Sequence, residues 1–347
     1  MRSTIGRCLL GGAVLLLSIR PAAGQEAYDP EAVDNAIARA LDYLAGQQAE
    51  EGFWRTDAWG ESTAITSLAV MAFLSAGHVP DEGPYGKQVA KGVRWVVSQQ
   101  QPNGMFVHKN HSHGPMYSHG ICTLMIAEAA GMVPGPDATA VRRALENGIR
   151  LILEAQTVNK YDRHKGGWRY QIDSRDSDLS VTGWQVMALR AAKDIGCDVP
   201  VESIEAAIDY VKQCSVHNNA GFGYQPGNGA TPTLTGTGIA CLEVCGAHHT
   251  EETLGGAEWL VKNPLQESSS YFYYGVYYTG VGMFKVGGDP ADANKRHLAG
   301  ILLPIQEEDG SWIPKHGSEK NAGKVYATSL SVLGLAIDYR YLPIYQR

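Results

Sequence analysis

The sequence predicts an all-α fold, a single α/α toroid of six helix pairs, on three observations. First, glutamine is followed at one fixed interval by glycine and an aromatic in Gln48-x3-Gly52-x-Trp54, Gln100-x3-Gly104-x-Phe106 and Gln306-x3-Gly310-x-Trp312. Recurrent punctuation of this kind marks one supersecondary unit copied around an axis. Second, looser copies end in Gly166-Gly167-Trp168 and Gly221-Phe222-Gly223-Tyr224, so the marking aromatics fall at 54, 106, 168, 224 and 312. The last step spans about two units of roughly 45 residues, which places a degenerate sixth copy near Tyr271-Phe272-Tyr273-Tyr274. Third, two kinds of apolar pattern alternate along the chain.

Before each glutamine runs an amphipathic stretch with apolar residues at helical spacing, such as Val33, Ile37, Leu41 and Leu44, or Val89, Val93, Val96 and Val97. After each glycine-aromatic turn comes a stretch that is apolar or small nearly all round: 64–74, 120–130, 181–191, 237–244, 276–286 and 326–335. A helix without a polar face must be covered on every side, so these form an inner ring and the amphipathic helices an outer one. The inner helices are expected to begin near Thr63, Ser118, Asp178, Thr235, Tyr274 and Tyr326. Gly131, Gly196, Gly246 and Gly287-Gly288 stand where a left-handed cap closes a helix. The repeat glutamines are expected to bond backbone groups near an inner-helix end. An open solenoid of the same pairs is the alternative arrangement.

Residues 1–24 stand apart from this pattern. Arg2 and Arg7 precede an apolar run over 8–19, and Ala22-Ala23-Gly24 supplies small residues before Gln25. The run is too short to span a bilayer and reads as a secretory signal peptide, with a retained anchor as the alternative. The mature protein is then one toroid domain over 25–347, exported to the periplasm or the exterior. Removing the leader takes away Arg2, Arg7 and Arg20 but no acid from a chain with 29 basic and 36 acidic residues. An acidic surface without a basic stripe argues against nucleic acid as a partner. Five cysteines remain, Cys122, Cys197, Cys214, Cys241 and Cys245, an odd count at irregular spacing that is not a disulfide framework. One pair such as Cys197 with Cys214 stays open.

The Gln-x3-Gly-x-Trp marks resemble the glutamine-tryptophan repeats of the squalene cyclases, and the six-pair layout is similar to the toroid of protein prenyltransferase β subunits. The resemblance covers roughly 30–340. Met116-Tyr117-Ser118-His119-Gly120 and Gly167-Trp168-Arg169-Tyr170 resemble segments of exported bacterial prenyltransferase and squalene oxidase repeat proteins. Squalene-hopene cyclases carry two such barrels, whereas this chain has length for one. The resemblance implies an apolar or isoprenoid-like ligand in a central cavity. It also implies, if the chain is an enzyme, a cyclase-like isomerase that protonates an alkene through an Asp.

Candidate residues follow from that implication. In Asp176-Ser177-Asp178-Leu179 the resemblance gives Asp178 the role of proton donor and Asp176 the first position of the acid motif, although Leu179 stands where a third Asp is expected. A carboxyl held protonated by its surroundings is the chemistry required; an ordinary helix N-cap is the plainer reading. Aromatic faces are needed to stabilise carbocations, and Trp168, Tyr170, Tyr274 and Tyr278 are candidates, with packing between units as the alternative. Tyr117 and His119 stand at an inner-helix start, where His119 either faces Asp178 or is a satisfied core histidine. The expected substrate-binding set is thus Tyr117, His119, Trp168, Tyr170, Tyr274 and Tyr278.

No metal or other cofactor is expected. Protein prenyltransferases bind zinc through an Asp-x-Cys pair and a distant His, and this chain has Asp178 and Tyr278 where that Cys and His would stand. His108, His111, His113 and His119 cluster before the second inner helix, as a loop cluster that is either solvated or metal-binding. Peripheral contact with a membrane joins the expected partners. The residues leave two further readings open: a non-catalytic binding or interaction module, and an enzyme acting on extracellular glycans.

Overall fold

A computed structural model describes residues 28–108 and 114–346. The leader over 1–24, and His111 and His113 of the histidine cluster, lie outside the described residues. The first outer helix, α1 (Pro30–Gln47), starts on an Asp29 cap with Pro30 in its first turn and buries a stripe of Val33, Ile37, Leu41 and Leu44. The other outer helices are α3 (Gly86–Ser98), α5 (Pro136–Gln156), α7 (Val201–Gln213), α9 (Glu251–Lys262) and α11 (Gly288–Leu302). The inner helices are α2 (Thr63–Ser75), α4 (Pro115–Ala130), α6 (Leu179–Asp194), α8 (Pro232–Val244), α10 (Phe272–Val286) and α12 (Glu319–Leu335). Each inner helix is buried almost all round, as in α2, where every residue from Ile65 to Ser75 is covered.

Successive inner helices pack on one another, and α12 packs back on α2, so the ring is closed and the open solenoid is excluded. Closeness is bought with glycine where α8 meets α10. A Cβ on Gly236 would lie 2.6 Å from the Thr279 nitrogen, and one on Gly282 would lie 2.9 Å from the Gly236 oxygen.

The repeat residues do one job in every unit. Gln48, Gln100 and Gln306 each donate through Nε2 to the carbonyl of the turn glycine, Gly52, Gly104 and Gly310. Each also donates to a carbonyl of the next outer helix, Gln88, Ala144 and Ala36. The expected partner near an inner-helix end is therefore corrected: the glutamine staples neighbouring outer layers, and Gln306 staples the last unit to the first. The turn glycines have positive φ, and a Cβ on any of them would approach the next outer helix's carbonyl to 2.4–2.6 Å. Gln156 supplies the same pair of bonds to Gly166 and Ser203 in the third unit, where an insertion hides the spacing.

The aromatics are equivalent as well. The backbone N–H of Trp54, Trp168, Phe222 and Trp312 each donates, at 3.0 Å, to Oγ1 of Thr66, Thr182, Thr235 and Thr328 on the following inner helix. The Phe106 N–H instead finds Nδ1 of His119 at 3.1 Å. The indoles of Trp54, Trp168 and Trp312 donate to the closing turns of their outer helices, at the Leu44, Ile152 and Leu302 carbonyls. Two sequence expectations are corrected here. Phe222 rather than Tyr224 marks the fourth unit. In the fifth the tyrosine run belongs to α10 itself, while Leu265, buried against Gly275, occupies the turn. The helices α4, α8, α10 and α12 also begin earlier than expected, because Pro115 and Pro232 are tolerated in a first turn and α12 runs on through a break at Gly323 (φ 85°).

Half of the bore is solid. Trp184 of α6 stacks on Tyr277 of α10 at 5.3 Å and meets Tyr274 and Tyr278 edge-on. Below them the C-terminal tail enters the ring with Tyr345 fully buried, and the Ile344 N–H donates to Glu128 of α4. The five cysteines are free thiols. No helix among the described residues is long and apolar enough to cross a membrane.

Candidate functional site

The other half of the bore is hollow. At the N-terminal ends of the inner helices lies a cavity of ≈ 450 Å³. Ser62 and Thr231 cap α2 and α8 there, accepting from the Ile65 and Leu234 N–H groups, and the first two turns of these helices present Ile65, Leu68 and Leu234 to the space. Ile121 comes from α4, and Trp184 forms the floor. Trp59, on the hairpin of strands β1 (Arg55–Thr56) and β2 (Gly60–Glu61), lines the space together with Tyr117, Tyr170, Tyr224, Tyr274 and Tyr326. Among the described residues no Lys, Arg or His lines it, and Glu319 is the one charged group that does.

Of the residues expected from sequence, Tyr117, Tyr170 and Tyr274 line the cavity together. Trp168 and His119 do not; both are repeat residues. His119 is fully buried between the Phe106 N–H and the Gly148 carbonyl, and burial lowers its pKa to about 4. Tyr278 lies one helical turn below Tyr274, covered by it and by Trp184.

The two aspartates sit beside the cavity rather than on its wall. Asp178 is the N-cap of α6 and is fully buried: Oδ1 accepts from the Val181 N–H at 2.9 Å and the Ser180 hydroxyl at 2.6 Å. Oδ2 accepts from Arg169 at 3.1 Å, and the same guanidinium reaches half-buried Asp176 at 3.2 Å. Arg169 in turn lies over the Tyr170 ring at 4.4 Å and donates to the Tyr224 hydroxyl. Burial pushes the Asp178 carboxyl up, while Ser180, Val181 and Arg169 pull it down. One path connects it to the cavity: the Tyr117 hydroxyl bonds the Ser180 hydroxyl, which donates to Asp178.

Glu319 is a site residue that sequence reasoning did not single out. Its side chain caps α10 from a distant segment, accepting from the Tyr274 N–H at 3.1 Å, the Tyr273 N–H at 3.4 Å and the Tyr326 hydroxyl at 2.9 Å. Burial raises its pKa against these bonds. It supplies the cap that α10 lacks locally, since Tyr271 takes a left-handed conformation with no side-chain bond. Among the described residues no group of three His, Cys, Asp or Glu side chains is arranged to hold a metal ion.

The sequence model of the prenyltransferase alpha-alpha toroid domain family matches residues 27–160 and 64–272. Among solved structures, the type II terpene cyclase MstE from Scytonema without ligand superposes with a TM-score of 0.58 at 14% identity, over 90% of this chain and 100% of that one. A variant of the same cyclase with its substrate geranylgeranyl dihydroxybenzoate gives 0.56 at 13% identity, over 90% and 98%. An inactive α-1,6-mannanase of Salegentibacter sp. HEL1_6 with α-1,6-mannotriose gives 0.65 at 9% identity, over 88% and 98%. No curated protein matches the sequence. At these identities the structural likeness is one of fold, and both terpene cyclase and mannanase share it.

Proposed function

The chain belongs to the prenyltransferase alpha-alpha toroid domain family, and from that premise we propose that it is an exported toroid whose half-hollow bore takes up an apolar or isoprenoid-like small molecule. The observation that carries this reading is the wall of the ≈ 450 Å³ cavity: aliphatic and aromatic side chains over a Trp184 floor, with a single carboxylate. The volume falls within the range that small-molecule sites occupy, and such sites are mainly apolar with few polar groups. Removing apolar surface from water supplies the affinity at about 25 cal/mol per Å². A glycan-cleaving site would need two carboxyl groups facing each other across the substrate, about 5–9.5 Å apart. Here Glu319 has no such partner among the described lining residues. A pure scaffold would have no use for the hollow.

A second reading, acid-initiated cyclase chemistry, is supported by the hydroxyl path from Tyr117 through Ser180 to Asp178. Proton delivery along it requires Asp178 to hold its proton beside Arg169, which favours the carboxylate.

Mass spectrometry of molecules extracted from the purified mature protein tests the main reading, backed by geranylgeraniol titrated against tryptophan fluorescence from Trp59 and Trp184. An extracted isoprenoid and saturable quenching are expected. Saturable binding of oligosaccharides with none of geranylgeraniol would overturn it. The acid reading is tested by Asp178→Asn: turnover of an isoprenoid alkene by the native protein that persists in this variant removes Asp178 from the mechanism.

A further inference from the structure

We propose that the molecule taken into the cavity carries a cationic terminus, a protonated amine or a quaternary ammonium, seated against Glu319 among the tyrosines. The inference rests on the apolar-ligand reading above and names the chemistry of the ligand's polar end. Its first support is charge balance. Glu319 is only 6% exposed, and among the described residues no Lys or Arg forms an ion pair with it. Arg169, beside Tyr170 and Tyr224 of the wall, is already shared between Asp176 and Asp178, two acids on one guanidinium. Lys160 spends its ammonium on the Ser174 and Asp176 carbonyls. Among the described residues that line the hollow, Glu319 is therefore a carboxyl group without a basic partner.

The second support is the way Glu319 is held. Three neutral donors, the Tyr273 and Tyr274 N–H groups and the Tyr326 hydroxyl, bond its oxygens. All of these partners are neutral, so none of them supplies a balancing charge. Capping alone does not call for a full charge, since Ser62 and Thr231 cap neighbouring inner helices with hydroxyls. A buried charge is costly unless something compensates it.

The third support is the aromatic wall. Tyr326 lies within electrostatic reach of Tyr274 and Tyr117, and all three line the space. Phenol rings attract an ammonium through their electron-rich faces, most strongly where water is excluded. An anionic terminus would meet the same rings and the Glu319 carboxyl with no Lys, Arg or His among the described lining residues to receive it, which argues against prenyl diphosphates and fatty carboxylates.

Three probes sharing one chain decide the matter: geranylgeranylamine, geranylgeraniol and geranylgeranyl diphosphate, titrated at about pH 7, where the amine is protonated. The amine is expected to bind at least about tenfold tighter than the alcohol, and the diphosphate not measurably. In Glu319→Gln, checked by circular dichroism for retained helix, the amine should fall to the alcohol's affinity while the alcohol stays within about twofold. Equal affinities of amine and alcohol for the native protein overturn the proposal without any variant, as does a preference that survives Glu319→Gln or a diphosphate that binds best. If none of the three binds, the apolar-ligand reading fails first and this inference falls with it.

Discussion

The two ends of the bore are built from the same repeat yet end in opposite states. Toward the C-termini of the inner helices, Trp184, Tyr277, Tyr278 and Tyr345 are each no more than 1% exposed and fill the axis. Toward the N-termini, Tyr117, Tyr274 and Tyr326 line a hollow. Both ends are rich in tyrosine, so composition does not separate them. The difference lies in what the hydroxyls do. At the hollow end they bond across units, Tyr274 to the Ser180 carbonyl and Tyr117 to the Ser180 hydroxyl, and so hold the rings back against the wall. At the solid end the Tyr278 and Tyr345 hydroxyls have no hydrogen-bond partner of good geometry, and those rings are placed mainly by packing. A repeat protein thus opens a cavity by tethering aromatics and closes one by stacking them.

The largest test of that contrast is Tyr345→Ala, which should cost about 3–5 kcal/mol, as for other large buried aromatics, measured by urea unfolding. A cost under about 1 kcal/mol would mean that the tail does not seal the ring. Next comes pH. Burial raises the Glu128 pKa to about 8, so the folded protein binds that proton more tightly than the unfolded chain does. Its support is complete below the ordinary carboxylate range and is withdrawn as pH rises to about 8. Asp194 and Lys285 act on it from opposite signs. Glu128→Gln keeps an acceptor for the Ile344 N–H, so it should flatten the loss of stability over that window and unfold at higher urea than the native protein at about pH 8. A variant with the native pH slope would place the titration elsewhere. Gln306→Ala should cost about 1–3 kcal/mol through two carbonyls left short of a donor, read by thermal unfolding. The smallest effect is expected at the hollow end: Tyr117→Phe removes one hydroxyl bond and should cost about 0.5–1.5 kcal/mol. If it destabilises as much as Tyr345→Ala, the two ends are not held differently.

The ring was legible in the sequence because its causes are local. Positive φ at Gly52, Gly104 and Gly310, and the fit of an indole beside them, depend on residues a few positions apart. Gln156 escaped because its partner Gly166 is 10 residues away rather than 4. His119 stands at an inner-helix entrance, a position equally suited to facing Asp178 or to a satisfied core histidine, and the second is what the structure holds. Only alignment against Thr66, Thr182, Thr235 and Thr328 shows it as the repeat's acceptor in another residue type. The cavity was legible in part. Tyr117 and Tyr274 sit in the first turns of α4 and α10 and Tyr170 in the turn before α6, where an aromatic face can reach the axis. Glu319 was not, since its partners lie 45 and 46 residues upstream and no local pattern announces a cap supplied from another unit. Asp178 shows the limit of motif reasoning: the spacing is right for an acid pair, yet one arginine between the two carboxylates alters what they can do.

The staple from Gln306 to Ala36 also says something about how the chain comes to be folded. It joins the last unit to the first, and nearby Tyr339 bonds Asp34 while Lys295 sits over the Tyr28 ring, so the two ends of the described chain meet at one seam. During synthesis the face of α1 that carries Ala36 waits for its partner until Gln306 has emerged, which makes that seam the slowest contact to form and the one most exposed to aggregation. It also makes the starting point arbitrary. A permuted chain that joins the old termini and opens between another pair of units should close the same ring with its seam moved.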